Sequence, residues 1–220
     1  VTQTRYGFSD AINGFYEIST DTARGLLPSQ LEPLEAHHGR SILCCTAFAF
    51  TESEVGPYGE VVLSIIVAPL LRGDEIMPRA AMYPFIVGTS TKASRDHAIE
   101  RWHLPHWMEE MDIQLVQDGE AMEAKVAVGG APVLESRITA YTWEQVGHRY
   151  QSFMVDDAGR YMARMLLEGE FSEHEEGKGW LKLHDHPFNK GLHDADMDEI
   201  PMRENWMRGG LQTFDPLVTL

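Results

Sequence analysis

A chain of 220 residues and 24.8 kDa, 43% hydrophobic and 24% charged, is long enough to bury one sizeable core and reads as a single globular domain, residues 1–220. Its formal net charge of −16, with no basic tract carrying interleaved aromatics, argues against nucleic acid or an anionic membrane surface as a partner. The adjacent Cys44 and Cys45 cannot supply a disulfide framework, no apolar run approaches a bilayer span, and the first residues lack a secretory pattern, so the expected location is cytoplasmic.

Residues 1–16 are polar with scattered aromatics and predict an arm or a first edge strand. Residues 20–28 predict a short helix, capped by Thr20 or Asp21 and stopped by Pro28. Leu31-Glu32-Pro33-Leu34 is an extended connector. Residues 41–50, SILCCTAFAF, are β-rich, with both cysteines expected as small core residues. After the Gly56-Pro57 turn, Glu60 stands directly ahead of an apolar run over residues 61–68, dominated by valine and isoleucine. That run, stopped by Pro69, predicts a strand buried on both faces and antiparallel to residues 41–50. A carboxylate at the mouth of such a strand is costly unless it is solvated, paired or used.

Beyond a turn at Arg72-Gly73-Asp74, residues 80–88 predict another strand and residues 90–101 a helix capped by Ser90 or Thr91. Short strands over 113–116, 121–128 and 133–141 alternate with turns, which fits an antiparallel meander and not βαβ units. Residues 149–154 and 159–167 are strand-like, the latter also open to helix from Tyr161. From Glu168 on, the segment 168–220 is polar, rich in His, Asp, Gly and Met, and weakly periodic. Its acidic runs read as a solvated face.

Three stretches together resemble the acetoacetate decarboxylase-like superfamily: residues 20–34 (TDTARGLLPSQLEPL), the turn and strand start GPYGEV at 56–61, and AIERWHLPH at 98–106. The resemblance implies an α+β fold that is mainly antiparallel β, a cone or barrel with a few peripheral helices, commonly assembled into homo-oligomers. It also implies a departure. Where the family carries a Schiff-base lysine after the proline, and a second lysine beside it, this chain has His106 and Trp107. Ile99 replaces the family arginine ahead of a retained Glu100, an earlier family carboxylate falls near Cys45, and the N-terminal arginine has no counterpart. Lys92, Lys125, Lys178, Lys182 and Lys190 all lie away from these stretches.

The chemistry this leaves is proton transfer. Glu60 and His106, facing each other across the implied cavity, would form an acid/base pair for cofactor-independent lyase-type work (decarboxylase, aldolase or dehydratase-like) on a hydrophobic or aromatic oxo or hydroxy compound. His103 would line the mouth or orient His106, and Tyr58, Tyr83, Trp102 and Trp107 would wall the cavity, although strand-end aromatics also serve as plain core. No cofactor is expected; the partners are a small-molecule substrate and further copies of the chain. Two alternatives stand beside this. One is a non-catalytic small-molecule binding protein on the same fold. The other is a metal-dependent hydrolase or lyase using His184 and His186, which share one strand face, with His193, Asp194 and Asp196 following.

Overall fold

The computed structural model describes residues 3–73, 75–192 and 196–220. The strands, in chain order, are β1 (Thr4–Ser19), β2 (Glu35–His37), β3 (Arg40–Glu52), β4 (Tyr58–Val67), β5 (Ala80–Thr89), β6 (Asp112–Asp118), β7 (Ala121–Val128), β8 (Ala131–Thr139), β9 (Glu144–Asp156), β10 (Gly159–His174), β11 (Trp180–Leu183), β12 (Arg203–Phe214) and β13 (Val218–Thr219). The helices are α1 (Thr20–Leu26) and α2 (Lys92–Trp102). Strands β1, β12, β10, β9, β5, β4 and β3 pair in that order, and β3 pairs back onto β1, which closes a seven-stranded barrel. The β5–β9 ladder is parallel and the others antiparallel, so the barrel is mixed. Register shifts in β1–β3, β4–β5 and β10–β12 supply the local bends that closure needs.

The expected antiparallel pair is present: residues 43–50 lie against residues 58–65, from Leu43↔Ile65 to Phe50↔Tyr58. The expected meander is β6–β7–β8, and β11 extends it into a second, four-stranded sheet. That sheet lies on the outside of the barrel. Val126, Leu134 and Leu181 join a core with Leu43, Cys45, Val61 and Leu63, while Met122, Ala124 and Ile138 join Ile12, Ala47 and Trp206. The opposite parity points into the barrel. Thus Thr46 and Phe48 on β3, and Glu60 and Val62 on β4, face an interior cavity, whereas Cys45, Ala47, Val61 and Leu63 face the second sheet.

Three expectations are corrected. The segment expected as an arm or edge strand is β1, which is paired on both sides and closes the barrel. The cap of α1 is Ser19, whose hydroxyl accepts from the Thr22 N–H, and not Thr20 or Asp21. The weakly periodic stretch after Glu168 contains the end of β10 and all of β12, a barrel stave between β1 and β10. Asp74, at the end of the expected turn, lies outside the described residues. Among the described residues, no helix is long and apolar enough to cross a membrane.

Candidate active site

The barrel interior holds a cavity of about 120 Å³. Its wall is mostly apolar, with Val62, Met82, Met154, Met165, Met207 and Phe214 prominent; an apolar cavity of about 150 Å³ admits benzene, so a compact ligand is the natural occupant. Helix α2 is capped by Thr91 at its start, and at its end by His103 in the left-handed region (φ 55°). That turn brings Trp102 and Leu104 onto one end of the cavity. No lysine or arginine is among the lining residues.

Glu60 does line the cavity. It sits at the start of β4, paired with Phe48 on β3 and Thr89 on β5, so a neighbouring strand flanks it on each side. Its side chain is accessible only in part, and it faces the cavity. Among the described residues, no side chain hydrogen-bonds or ion-pairs with its carboxyl. Burial alone pushes its pKa up to about 8, because nothing compensates the charged form for lost hydration. Two phenols feel its charge: burial raises the pKa of both Tyr58 and Tyr6, and Glu60 raises them further. Tyr6 is held by the Trp102 indole N–H, which donates to its oxygen at 2.7 Å, and by His97, whose Nε2 lies 2.7 Å from the same oxygen.

Of the other predicted residues, Trp102 lines the cavity and the rest are placed around it. Tyr58 packs on Phe50, ring centroids 4.8 Å apart. Tyr83 points outward into a cluster with Phe153 and Met162, while its neighbours Met82 and Pro84 face the cavity. His103 stacks on Tyr161 at 3.9 Å, and its Nδ1 lies 2.7 Å from an Asp156 carboxylate oxygen. His106 bridges to Val87, itself a lining residue, but its own imidazole is not part of the lining. Its Nδ1 is 2.5 Å from the Trp107 carbonyl oxygen, and its Nε2 is buried without a partner among the described residues. Burial lowers its pKa, and the hydrogen bond to the Trp107 backbone opposes that. Trp107 packs between His186 and Phe188, in the core under the second sheet.

The second candidate site is dispersed. His184 Nε2 is 2.8 Å from a Glu135 carboxylate oxygen, His186 Nδ1 accepts from the Phe188 N–H, and Asp196 pairs with Arg40. His193 and Asp194 lie outside the described residues. Among the described residues, no group of three or more His, Cys, Asp or Glu side chains converges as a metal site would.

Polar residues that the sequence does not single out share the cavity with Glu60: Asn13, Thr46, Ser152, Asn205 and Gln212. On a barrel strand a polar side chain facing a cavity has the same sequence signature as one facing water, so only the closed barrel reveals them.

No family model matches the sequence, and no curated protein matches it. Solved structures do match over nearly the whole chain. An acetoacetate decarboxylase from Legionella pneumophila superposes with a TM-score of 0.62 at 14% identity, covering 96% of this chain and 84% of that one. The chain has the acetoacetate decarboxylase-like fold. An acetoacetate decarboxylase-like enzyme from Sphingomonas wittichii RW1 gives a TM-score of 0.61 at 14% identity, covering 100% and 94% of the two chains. The enduracididine biosynthesis enzyme MppR, solved with pyruvate, gives 0.64 at 13% identity, covering 96% and 87%. The fold implied by the three sequence stretches is therefore the fold observed.

Proposed function

We propose that this chain is a cofactor-independent enzyme that moves a proton on a compact, uncharged oxo or hydroxy compound, with Glu60 as the group that takes and returns it. The observation that carries the reading is a lone carboxyl facing an apolar cavity, with a pKa of about 8 and no hydrogen-bonding or charged partner among the described residues. A carboxyl poised there exchanges protons readily near neutral pH, and its basicity exceeds that of a solvated glutamate by several orders of magnitude. The apolar lining, without lysine or arginine, supports a neutral ligand over a small keto acid and supplies no amine for a Schiff base. The three similar structures are described as enzymes, which fits this reading. We assign the proton step to Glu60 and none of it to His106, whose imidazole is not part of the lining.

The test needs no knowledge of the natural substrate. A panel of small aryl and alkyl methyl ketones is incubated with the protein in D₂O, and loss of the α-proton signal is followed by NMR. The protein should accelerate exchange for at least one ketone, and Glu60→Gln should remove the acceleration while ligand affinity changes little. Binding without exchange across the panel would instead assign the cavity to a silent carrier.

A further inference from the structure

One rung below Glu60 the cavity wall changes character. In register across three neighbouring strands lie Asn205 on β12, Asn13 on β1 and Thr46 on β3. Glu60 belongs to the adjoining rung, which runs Met207, Ala11, Phe48, Glu60. These three polar side chains differ in what they have left to offer. Asn205, with its amide turned as its neighbours require, donates to the Glu204 carbonyl oxygen (3.0 Å) and to a Glu173 carboxylate oxygen (2.8 Å). Thr46 gives its hydroxyl proton to Asn13 Oδ1 at 3.3 Å, and the Cys44 thiol donates to the same oxygen at 2.8 Å.

Those two donations fix the Asn13 amide. Turned the other way, its NH₂ would meet a thiol sulfur, a weak acceptor, at 2.8 Å, and the thiol proton would keep only longer contacts such as the Thr46 hydroxyl at 3.6 Å. Burial keeps the Cys44 thiol protonated, so it remains a donor. The Asn13 oxygen is thus occupied twice, while its nitrogen hydrogen-bonds to nothing among the described residues and borders the cavity. Asn13 is only partly buried, and an N–H donor that opens onto a mostly apolar cavity with no protein acceptor among the described residues is a ready partner for a ligand oxygen.

We propose that Asn13 Nδ2 is the anchor for a carbonyl or hydroxyl oxygen of the ligand, so that the cavity selects compact apolar ketones or alcohols over hydrocarbons of the same shape. The inference rests on the reading of Glu60 and gives that site its polarity. Two strand spacings and one rung separate the Cα atoms of Asn13 and Glu60 by roughly 12 Å, and both side chains line the same cavity. With the oxygen held at Asn13, the neighbouring carbon lies towards Glu60. When Glu60 takes a proton from that carbon, the C–H pair becomes the carbon–carbon double bond of an enolate, and the former carbonyl pair becomes the oxygen charge that the amide N–H stabilises.

The test compares acetophenone with ethylbenzene, in which CH₂ replaces C=O. The protein should bind acetophenone about tenfold more tightly than ethylbenzene, as one good hydrogen bond predicts, and the C=O stretch of bound acetophenone should be red-shifted from its value in hexane. Asn13→Asp keeps the acceptor for Cys44 and Thr46 but removes the donor. It should abolish both the preference and the shift, and Asn13→Leu should do the same if the aspartate variant fails to fold. Glu60→Leu should keep both. If the stretch in the unmodified protein matches hexane, or survives loss of the Asn13 donor but not of Glu60, the oxygen does not sit on Asn13 and the inference is overturned. Failure of the Glu60 reading looks different: the ketone preference persists and no exchange occurs.

Discussion

Two carboxylates, Glu60 on β4 and Glu204 on β12, are drawn into the protein on opposite faces of the same barrel wall. Glu204 is fully buried at the junction with the second sheet, where Oε2 accepts from the Thr139 N–H (2.7 Å) and hydroxyl (2.9 Å), and Oε1 from the N–H groups of Lys178 and Gly179 (2.8 Å each). Among the described residues Glu60 has no such donor; it faces the cavity, and burial lifts its pKa to about 8. Four donors make one carboxylate a rivet between two sheets; their absence leaves the other with a proton to trade. The residue type is the same, and the surrounding hydrogen bonds decide its use.

The comparison is broken most directly at Glu60. Replacing this carboxyl by the isosteric amide in Glu60→Gln should lower the rate of proton exchange by about 10² to 10⁴, the range for a single general acid/base group. With Glu60 acting as base, kcat/KM should rise with pH and level off above about 8. An unchanged rate in Glu60→Gln sinks the assignment.

Stability should carry the same signature. Unfolded, Glu60 ionises near 4.5; folded, at about 8. Between those values the folded chain holds a proton that the unfolded chain has lost. The contribution is therefore fully present below about pH 4.5 and is lost progressively up to about pH 8, roughly 3–5 kcal/mol across the window. Urea unfolding of the native protein should show this decline superimposed on other titrations, and Glu60→Gln should remove it and be the more stable form at pH 9. Equal pH slopes for the two proteins would mean that water or an unseen counter-charge already solvates Glu60.

At Glu204 the same substitution should act in the opposite sense. Whichever way the introduced amide turned, its NH₂ would face at least one backbone N–H donor, those of Lys178 and Gly179 or that of Thr139. Glu204→Gln should cost about 3 kcal/mol of stability, read as a lower denaturation midpoint, with little change in cavity affinity. Loss of ligand binding without loss of stability would merge the two sites that the barrel wall separates.

How much of this is legible in the sequence differs between the same two regions. Strand β4 and Glu60 are legible because a Gly56-Pro57 turn and an unbroken β-branched run leave few alternatives for the residue between them. Strand β12 is not. Gly209, Gly210 and the register shift opposite Glu168–Glu170 break its alternation, and Arg203 and Arg208 make it look exposed. Strand β1 looks like an edge because Asp10 interrupts its outer face and Asn13 its cavity face, and a cavity wall tolerates a residue such as Asn13 where a packed core would not. Tyr83 shows the limit of reading aromatics without parity, since it points away from the cavity that both its neighbours line. The three family-like stretches carry the fold because their order along the chain is informative, while their divergence at His106 and Trp107 leaves the chemistry to be built from geometry.

The smallest expected effect lies at His103, where α2 ends. It is the one described non-glycine residue with positive φ, at 55°, a conformation that disfavours a Cβ. Replacing it with glycine relieves roughly 1 kcal/mol of backbone strain. The same change deletes the contact with Asp156, which lowers that carboxyl's pKa, and the stack on Tyr161. The pair is partly exposed and screened, worth about 0.2–1 kcal/mol. Gain and loss are of one size, so His103→Gly should shift the unfolding free energy by no more than about 0.5 kcal/mol at neutral pH. Because the imidazole stacks on Tyr161, contacts Asp156 and is not part of the cavity lining, proton exchange at Glu60 should be unaffected. A marked loss of exchange with stability intact would bring His103 into the machinery, and the division between poised and riveted carboxylates would then need a third participant.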